Sequence, residues 1–267
     1  MTRIEEFGWR GEVEAGIGRV VSAHGDYYHL ICNEIGGEII ARKKKSAFLS
    51  PDALKPITGD FVRFRYNAQG ESMLTEVLPR FSKFERKDPT ARRKAQVLAV
   101  NFDTLFIMMG LNENFSLPRL ERYLALAEDM GEAEAVIVLT KRDLPHAPVD
   151  LGGLAANRRV LEISSLTGEG MDAVKEYVRP TKTVAFIGSS GVGKSSLVNA
   201  LAGEEWMATN EIQEWSGKGR HTTTSRELVM LPCGAMVIDT PGIREIGMVG
   251  ELDELQVKGE STHRWRK

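Results

Sequence analysis

Thr183-Val-Ala-Phe-Ile-Gly-Ser-Ser-Gly-Val-Gly-Lys-Ser-Ser-Leu-Val-Asn-Ala-Leu201 is the stretch that decides the fold. Its first five residues read as a short buried strand. Gly188 to Ser195 then satisfies G-x-x-x-x-G-K-[ST] at every fixed position, and a helix follows. In that setting the glycines let backbone N–H groups wrap around phosphates at the positive end of the helix. Gly188, Ser189, Ser190, Gly191, Val192, Gly193, Lys194, Ser195 and Ser196 are therefore the predicted phosphate-binding residues. Lys194 is expected to reach the β- and γ-phosphates, and the Ser195 hydroxyl to ligate Mg²⁺.

Downstream, the apolar run Val237-Ile-Asp239 ends in Thr-Pro-Gly242. Asp239 is placed to serve the same metal, usually through water, and Gly242 to offer its N–H to the γ-phosphate. About 50 residues after a phosphate loop is where nucleotide switches put such a segment. Between the two lies Gly217-Lys-Gly-Arg-His-Thr-Thr-Thr224. In a switch that a bound nucleotide orders, one of these threonines completes the Mg²⁺ shell; Thr223 is the first choice and Thr222 the second. Many GTPases carry a water-orienting Gln just after D-x-x-G, but this chain has Ile243, which cannot hold water. His221 is the available imidazole, either as the catalytic group or as a surface or rRNA contact.

Upstream, Thr140-Lys141-Arg142-Asp143 closes one apolar strand and Ser164-Ser165-Leu-Thr-Gly follows the next. The Asp143 carboxylate can accept from guanine N1–H and N2–H₂, a pair that adenine does not present. Lys141 can lay its stem along the base, and the Ser165 N–H can meet guanine O6. Thr140 stands where such motifs usually carry Asn. The base-recognition elements thus precede the phosphate loop, the reverse of most GTPases, and the sheet still closes if the chain is circularly permuted.

The texture from Gln96 onward alternates strands and helices. Strands are expected at Thr104–Met109, Ala135–Leu139, Arg159–Ile163 and Thr183–Ile187, with helices over Pro118–Met130 and Met171–Val178. This is an α/β pattern, a mostly parallel sheet covered by helices. From Gly8 to Leu78 the chain reads instead as five short strands separated by turn residues, including Phe61-Val-Arg-Phe-Arg-Tyr with its period of two. Five strands in that length suit an all-β barrel, OB-fold or SH3-like.

Charge is uneven. Residues 1–95 carry 17 Lys/Arg against 13 Asp/Glu, whereas residues 96–267 carry 18 against 24. A basic first segment hints at nucleic acid. Within it, Arg80, Lys83, Arg86, Lys87, Arg92, Arg93 and Lys94 form a basic strip, with Phe81 and Phe84 interleaved. The strip reads either as a solvated linker whose aromatics pack the domains together, or as a surface that grips phosphates and stacks on bases. Arg42-Lys-Lys-Lys45 raises the same question. No run approaches the roughly 20 apolar residues of a membrane span, the N-terminus lacks a secretory pattern, and two distant cysteines suit a reducing cytoplasm.

Together the barrel, Thr140–Asp143, Gly188–Ser196, Gly219–Thr224 and Asp239-Thr-Pro-Gly-Ile-Arg-Glu245 resemble the circularly permuted, small-ribosomal-subunit-dependent GTPases of the RsgA or YjeQ type. The resemblance implies an OB-fold-like RNA-binding barrel at 1–80, a basic linker at 81–95, and a permuted P-loop GTPase domain at 96–250. It further implies GTP with Mg²⁺, contact with the 30S subunit and 16S rRNA, a role in late subunit maturation, no membrane and a monomer. Family members continue into a zinc-binding domain of Cys-x4-Cys-x-His-x5-Cys type. Here residues 251–267 form a short tail in which His263 has no cysteine beside it, so zinc ligands are absent from this sequence. The alternatives are an RNA-binding module with a vestigial nucleotide domain and a truncated form with impaired ribosome stimulation. If His221 is the catalytic imidazole, His221→Ala should slow GTP turnover on the order of 10²-fold, with or without ribosomal subunits. Unchanged turnover removes the role.

Overall fold

A computed structural model describes residues 3–35, 37–44, 46, 54–86, 95–203 and 226–239. After a helical turn, α1 (Arg3–Glu6), come five strands: β1 (Ile17–His24), β2 (Tyr27–Cys32), β3 (Glu38–Lys43), β4 (Phe61–Arg65) and β5 (Ser72–Val77). They close in the order β1-β2-β3-β5-β4, and β4 pairs back onto β1. All pairs are antiparallel except β3 with β5, where Arg42 faces Met73 in parallel register. That single parallel pair makes the barrel OB-like rather than a continuous antiparallel ring. Val20, Leu30, Ala41, Val62 and Leu74 fill its centre.

The second body is the expected parallel sheet. β8 (Thr104–Gly110), β9 (Glu134–Thr140), β10 (Arg159–Glu162), β11 (Thr183–Ile187) and β13 (Met236–Asp239) lie in the order β10-β9-β8-β11-β13, with β12 (Glu227–Met230) antiparallel at its side. Every residue of β8 is buried, as a central strand covered on both faces requires. Leu105, Ile107 and Met109 point to the face under α2 (Leu117–Leu126). Phe106 and Met108 point to the face under α3 (Met171–Lys175) and α4 (Lys194–Ala202). Parallel strands put Gly110, Thr140, Glu162, Ile187 and Asp239 at one edge, where open α/β sheets bind ligands.

Two helices are shorter than their apolar stripes suggest. Ser116 caps α2, its hydroxyl accepting from the Arg119 N–H at 3.4 Å, but the helix stops at Leu126 rather than Met130. Glu128 and Asp129 follow, and two carboxylates at the negative end of a helix oppose its extension. α3 stops at Lys175, ahead of Pro180, rather than at Val178.

The strip at 80–94 departs most from its expected role. Lys83–Arg86 is a strand, β6, paired antiparallel with β7 (Gln96–Val100). Phe84 is fully buried, beside Leu98 and Tyr123. Phe81 packs with Ile4, Phe61 and Leu78, and the Arg10 guanidinium lies 3.7 Å from its ring centre. Neither ring is open to an unpaired base, so the stacking expectation is corrected to packing. Arg80 is likewise committed. Its fork holds the fully buried Asp60 at 2.7 and 2.8 Å. Residues 87–94, with Lys87, Arg92, Arg93 and Lys94, lie outside the described residues.

Barrel and sheet share a core. β1 pairs with β12 through Ser22 and Glu227, joining both into one 11-stranded sheet, and Phe7, Val21 and Ile31 pack with the α2-side core. Gly59, at φ +94°, brings the barrel loop so close to β7 that a Cβ there would sit 2.7 Å from the Val100 carbonyl. At this junction Arg19 is buried whole. Its guanidinium donates to the carbonyls of Phe7 (2.5 Å), Gly59 (3.4 Å) and Asn101 (2.7 Å), and to the Thr183 hydroxyl at 3.0 Å.

Burial pushes the Asp60 carboxyl above its ordinary range, and the Arg80 fork pulls it back. Removing that fork leaves a buried charge without its partner. Arg80→Ala is therefore expected to cost about 3–5 kcal/mol of stability, read as a lowered denaturant midpoint. Arg86→Ala should leave the midpoint within about 0.5 kcal/mol.

Candidate functional site

At the shared edge, β11 runs into the glycine-rich loop and the loop into α4. Gly191 and Gly193 adopt φ +70° and +100°, a left-handed geometry that glycine adopts without strain. A Cβ on Gly188 would meet the Met108 carbonyl at 2.8 Å, whereas one on Gly191 would meet nothing within 4 Å. The loop is thus pressed onto β8 at its start and open at its crest. Gly193 caps α4, with the Leu197 N–H bonding back to its carbonyl at 2.9 Å. The Lys194 ammonium folds over the loop and donates to the carbonyls of Gly188 (2.7 Å) and Ser189 (3.0 Å). Ser189 is half-buried and Ser190, Ser195 and Ser196 are exposed, while Val192 points into the core beneath.

The Thr140-Lys-Arg-Asp segment abuts this loop. Thr140 is buried, and its hydroxyl donates to the Val192 carbonyl at 2.7 Å. A residue expected to face the nucleotide instead ties β9 to the phosphate loop, a task an Asn amide could also perform. Arg142 also turns to protein, pairing with Glu162 at 3.0 Å and Glu169 at 2.9 Å. These ion pairs tie the segment to the end of β10 and to the loop that follows it.

Asp143 and Ser164 are brought together. The Ser164 hydroxyl donates to Asp143 Oδ1 at 2.6 Å and accepts from the N–H groups of Leu166 (3.2 Å) and Thr167 (3.1 Å). Ser164 is buried, and its own N–H is taken by the Glu169 carbonyl at 2.9 Å. The Ser165 N–H bonds to none of the described residues, which leaves it available to a carbonyl acceptor. Asp143 stands exposed with Oδ2 uncommitted. Lys141 sits between them in the left-handed region, φ +62°. The carboxylate bonded to Ser164 and the neighbouring Lys141 belong to a segment that abuts a phosphate-binding loop. The set can read one purine edge while the loop holds the phosphates.

Asp239 ends β13, which is separated from β9 by two strands, β8 and β11. His221, Thr222, Thr223, Gly242 and His263 lie outside the described residues. Among the described residues, no group of three or more His, Cys, Asp or Glu is placed to hold a metal ion, and no helix is long and apolar enough to cross a membrane. The loop suits a hard cation beside phosphate through the exposed Ser195 hydroxyl at the first turn of α4.

The tether at Thr140 and the clamps at Arg142 and Ser164 were not assigned those roles from sequence. The signal available was proximity of motif to motif, which spacing alone does not convert into a bond.

Comparison with known proteins agrees with this geometry. A family model described as RsgA GTPase matches residues 77–249. The chain is 41% identical over 245 residues to the small ribosomal subunit biogenesis GTPase RsgA 2 of Lactiplantibacillus plantarum, covering 89% of this chain and 68% of that protein. It is 39% identical over 249 residues to the small ribosomal subunit biogenesis GTPase RsgA of Leptospira interrogans, covering 90% and 67%. Among solved structures, YjeQ from Thermotoga maritima superposes with a TM-score of 0.60 at 26% identity, over 86% of this chain and 76% of that one. YloQ, a circularly permuted GTPase, superposes at 0.52 over 87% and 74%; at 20% identity it supports the permuted fold alone.

The tether is testable. Thr140→Val leaves the buried Val192 carbonyl unpaired, at about 1–2 kcal/mol. If the loop's hold on phosphate depends on that bond, GDP affinity should fall about tenfold, while Thr140→Ser keeps it. Labelled-GDP titration checks both.

Proposed function

The chain belongs to the RsgA GTPase family, and from that membership we propose that it binds GTP, hydrolyses it to GDP and phosphate, and assists maturation of the small ribosomal subunit. The observation that carries the nucleotide reading is the pair of bonds that join its motifs: Thr140 to Val192, and Ser164 to Asp143. They hold the base-reading and phosphate-binding elements at one edge in a permuted chain.

Each residue then has a task. Asp143 accepts from guanine N1–H and N2–H₂, the Ser165 N–H donates to O6, and the Lys141 stem covers the base. The loop N–H groups and Lys194 hold the phosphates, with the ammonium exchanging its carbonyl acceptors for phosphate oxygens. Gly242 donates its N–H to the γ-phosphate. Ser195, Thr223 and Asp239 are the proposed Mg²⁺ ligands, and the ion, when bound, offsets charge on the β- and γ-phosphates. His221 orients the attacking water in place of the missing Gln.

For the ribosome, the proposed surface moves off the strip at 80–86, where Phe84 is buried and Phe81 is packed under Arg10. The outer face of β2, β3 and β5 exposes Tyr27, Ile40, Arg42, Lys44 and Met73. The Arg42 guanidinium lies 5.1 Å from the Tyr27 ring centre. Cationic and aromatic groups side by side suit rRNA, phosphates on the one and bases on the other. Arg86, Lys87, Arg92 and Arg93 remain proposed phosphate contacts. We further propose a monomer acting in the cytoplasm with 16S rRNA in the 30S subunit. The chain spans about two thirds of the length of the curated relatives it matches, and zinc has no proposed ligands in it.

GDP should compete for labelled GDP while ATP in large excess should not; competition by ATP overturns the guanine reading. Purified 30S particles should raise GTP turnover several-fold. Tight 30S binding with no turnover in any condition would instead make the chain an RNA-binding module.

A further inference from the structure

Asn112, two residues past the end of β8, belongs to none of the motifs above. Its backbone is fixed on both sides: the Leu111 N–H bonds to the Thr140 carbonyl at 2.8 Å, and the Asn112 carbonyl accepts from the Phe115 N–H at 2.9 Å. Its side-chain oxygen, Oδ1, is buried and accepts no hydrogen bond in the structure. A buried acceptor without a donor is costly, and such groups commonly have a partner in some state of the protein.

The side chain of Lys141 lies close by, beside Gly110. The point at which a Gly110 Cβ would sit lies 2.8 Å from Asn112 Oδ1 and 3.7 Å from Lys141 Cδ. The amide oxygen and the lysine stem thus face each other across a glycine that leaves the gap open. Lys141 is held left-handed, φ +62°, an uncommon backbone for lysine, with its carbonyl accepting from the Leu144 N–H at 3.0 Å. Among the described residues its ammonium makes no hydrogen bond or ion pair. The backbone is fixed, then, while the long side chain is not. A lysine stem covers a flat base well only when its far end is held; otherwise ordering it opposes binding.

We infer that Asn112 is a positioning residue for nucleotide recognition, its amide oxygen accepting from the Lys141 ammonium and so drawing the stem into place along the base. The inference rests on the guanine reading of this site. It explains an unpaired acceptor, a strained lysine and a glycine in contact with both. Asn112 acts through Lys141 and touches neither the base nor the reacting phosphate.

A double-mutant cycle on the full chain, with labelled GDP as probe, separates this from a structural role. Asn112→Leu keeps the volume and removes the acceptor; Lys141→Met keeps the stem and removes the ammonium. Asn112→Leu should weaken GDP binding about tenfold in the wild-type background and change it less than about twofold in Lys141→Met. Asn112→Asp, which restores an acceptor, should bind GDP at least as tightly as wild type. Equal losses in both backgrounds, no loss in either, or Asn112→Asp as weak as Asn112→Leu would overturn the inference while leaving guanine binding intact. Wild type failing to bind GDP at all would overturn the nucleotide reading and this inference with it. Thermal unfolding without nucleotide confirms that each variant is folded.

Discussion

The architecture turns on one guanidinium. Arg19 sits on β1 with no access to solvent, and the groups it bonds come from five separate segments: the turn after α1, the barrel loop at Gly59, the β7–β8 connection, and the first residues of β11 and β13. Burial draws its pKa down to about 9, with Asp103 and Asp60 opposing, so it remains charged at neutral pH. A charge in that position survives because planar donors meet acceptors on several sides, which a lysine ammonium would not reproduce. β11 leads to the phosphate loop and β13 ends at Asp239, so the strands that deliver the site are anchored at their opposite ends to the barrel.

At the other end of the same strands a second set of bonds takes over. Thr140 and Ser164 spend buried hydroxyls on neighbouring loops, and the exposed Arg142 pairs with Glu162 of β10 and Glu169 of the loop after it. The site is therefore built from strand ends whose mutual spacing is set before any nucleotide arrives. Such bracing suits discrimination by hydrogen bonds, because fixed donors and acceptors do not relax to fit a mismatched partner.

Much of this was legible in the sequence because it rests on local pattern. The strand–loop–helix at Thr183–Leu201, the fully apolar β8 and the alternation in β4 each follow from a period or a motif. What stayed hidden depends on partners distant in sequence. Arg80 looked like one more cation in a basic strip, and only the fold brings Asp60 to it. Phe84 reads the same whether it faces RNA or Tyr123. Arg19 binds backbone carbonyls, and carbonyls carry no residue signature. β12, four residues long, was too short to show a period of its own. The OB-like topology was decided by the parallel pairing of β3 with β5, a property of register that neither strand displays alone.

The permuted order has a consequence for how the molecule is made. β8 lies between β9 and β11, but β11 begins 73 residues after β8 ends, following both β9 and β10. During synthesis at about 5–20 residues per second, one side of a strand destined for full burial waits several seconds or longer for its neighbour. An unpaired strand edge in a nascent chain invites pairing with another chain. The barrel, whose five strands are complete by Val77, precedes all of this. A folded first domain near the exit of the tunnel would keep the emerging sheet soluble until the phosphate-loop strand arrives to close it.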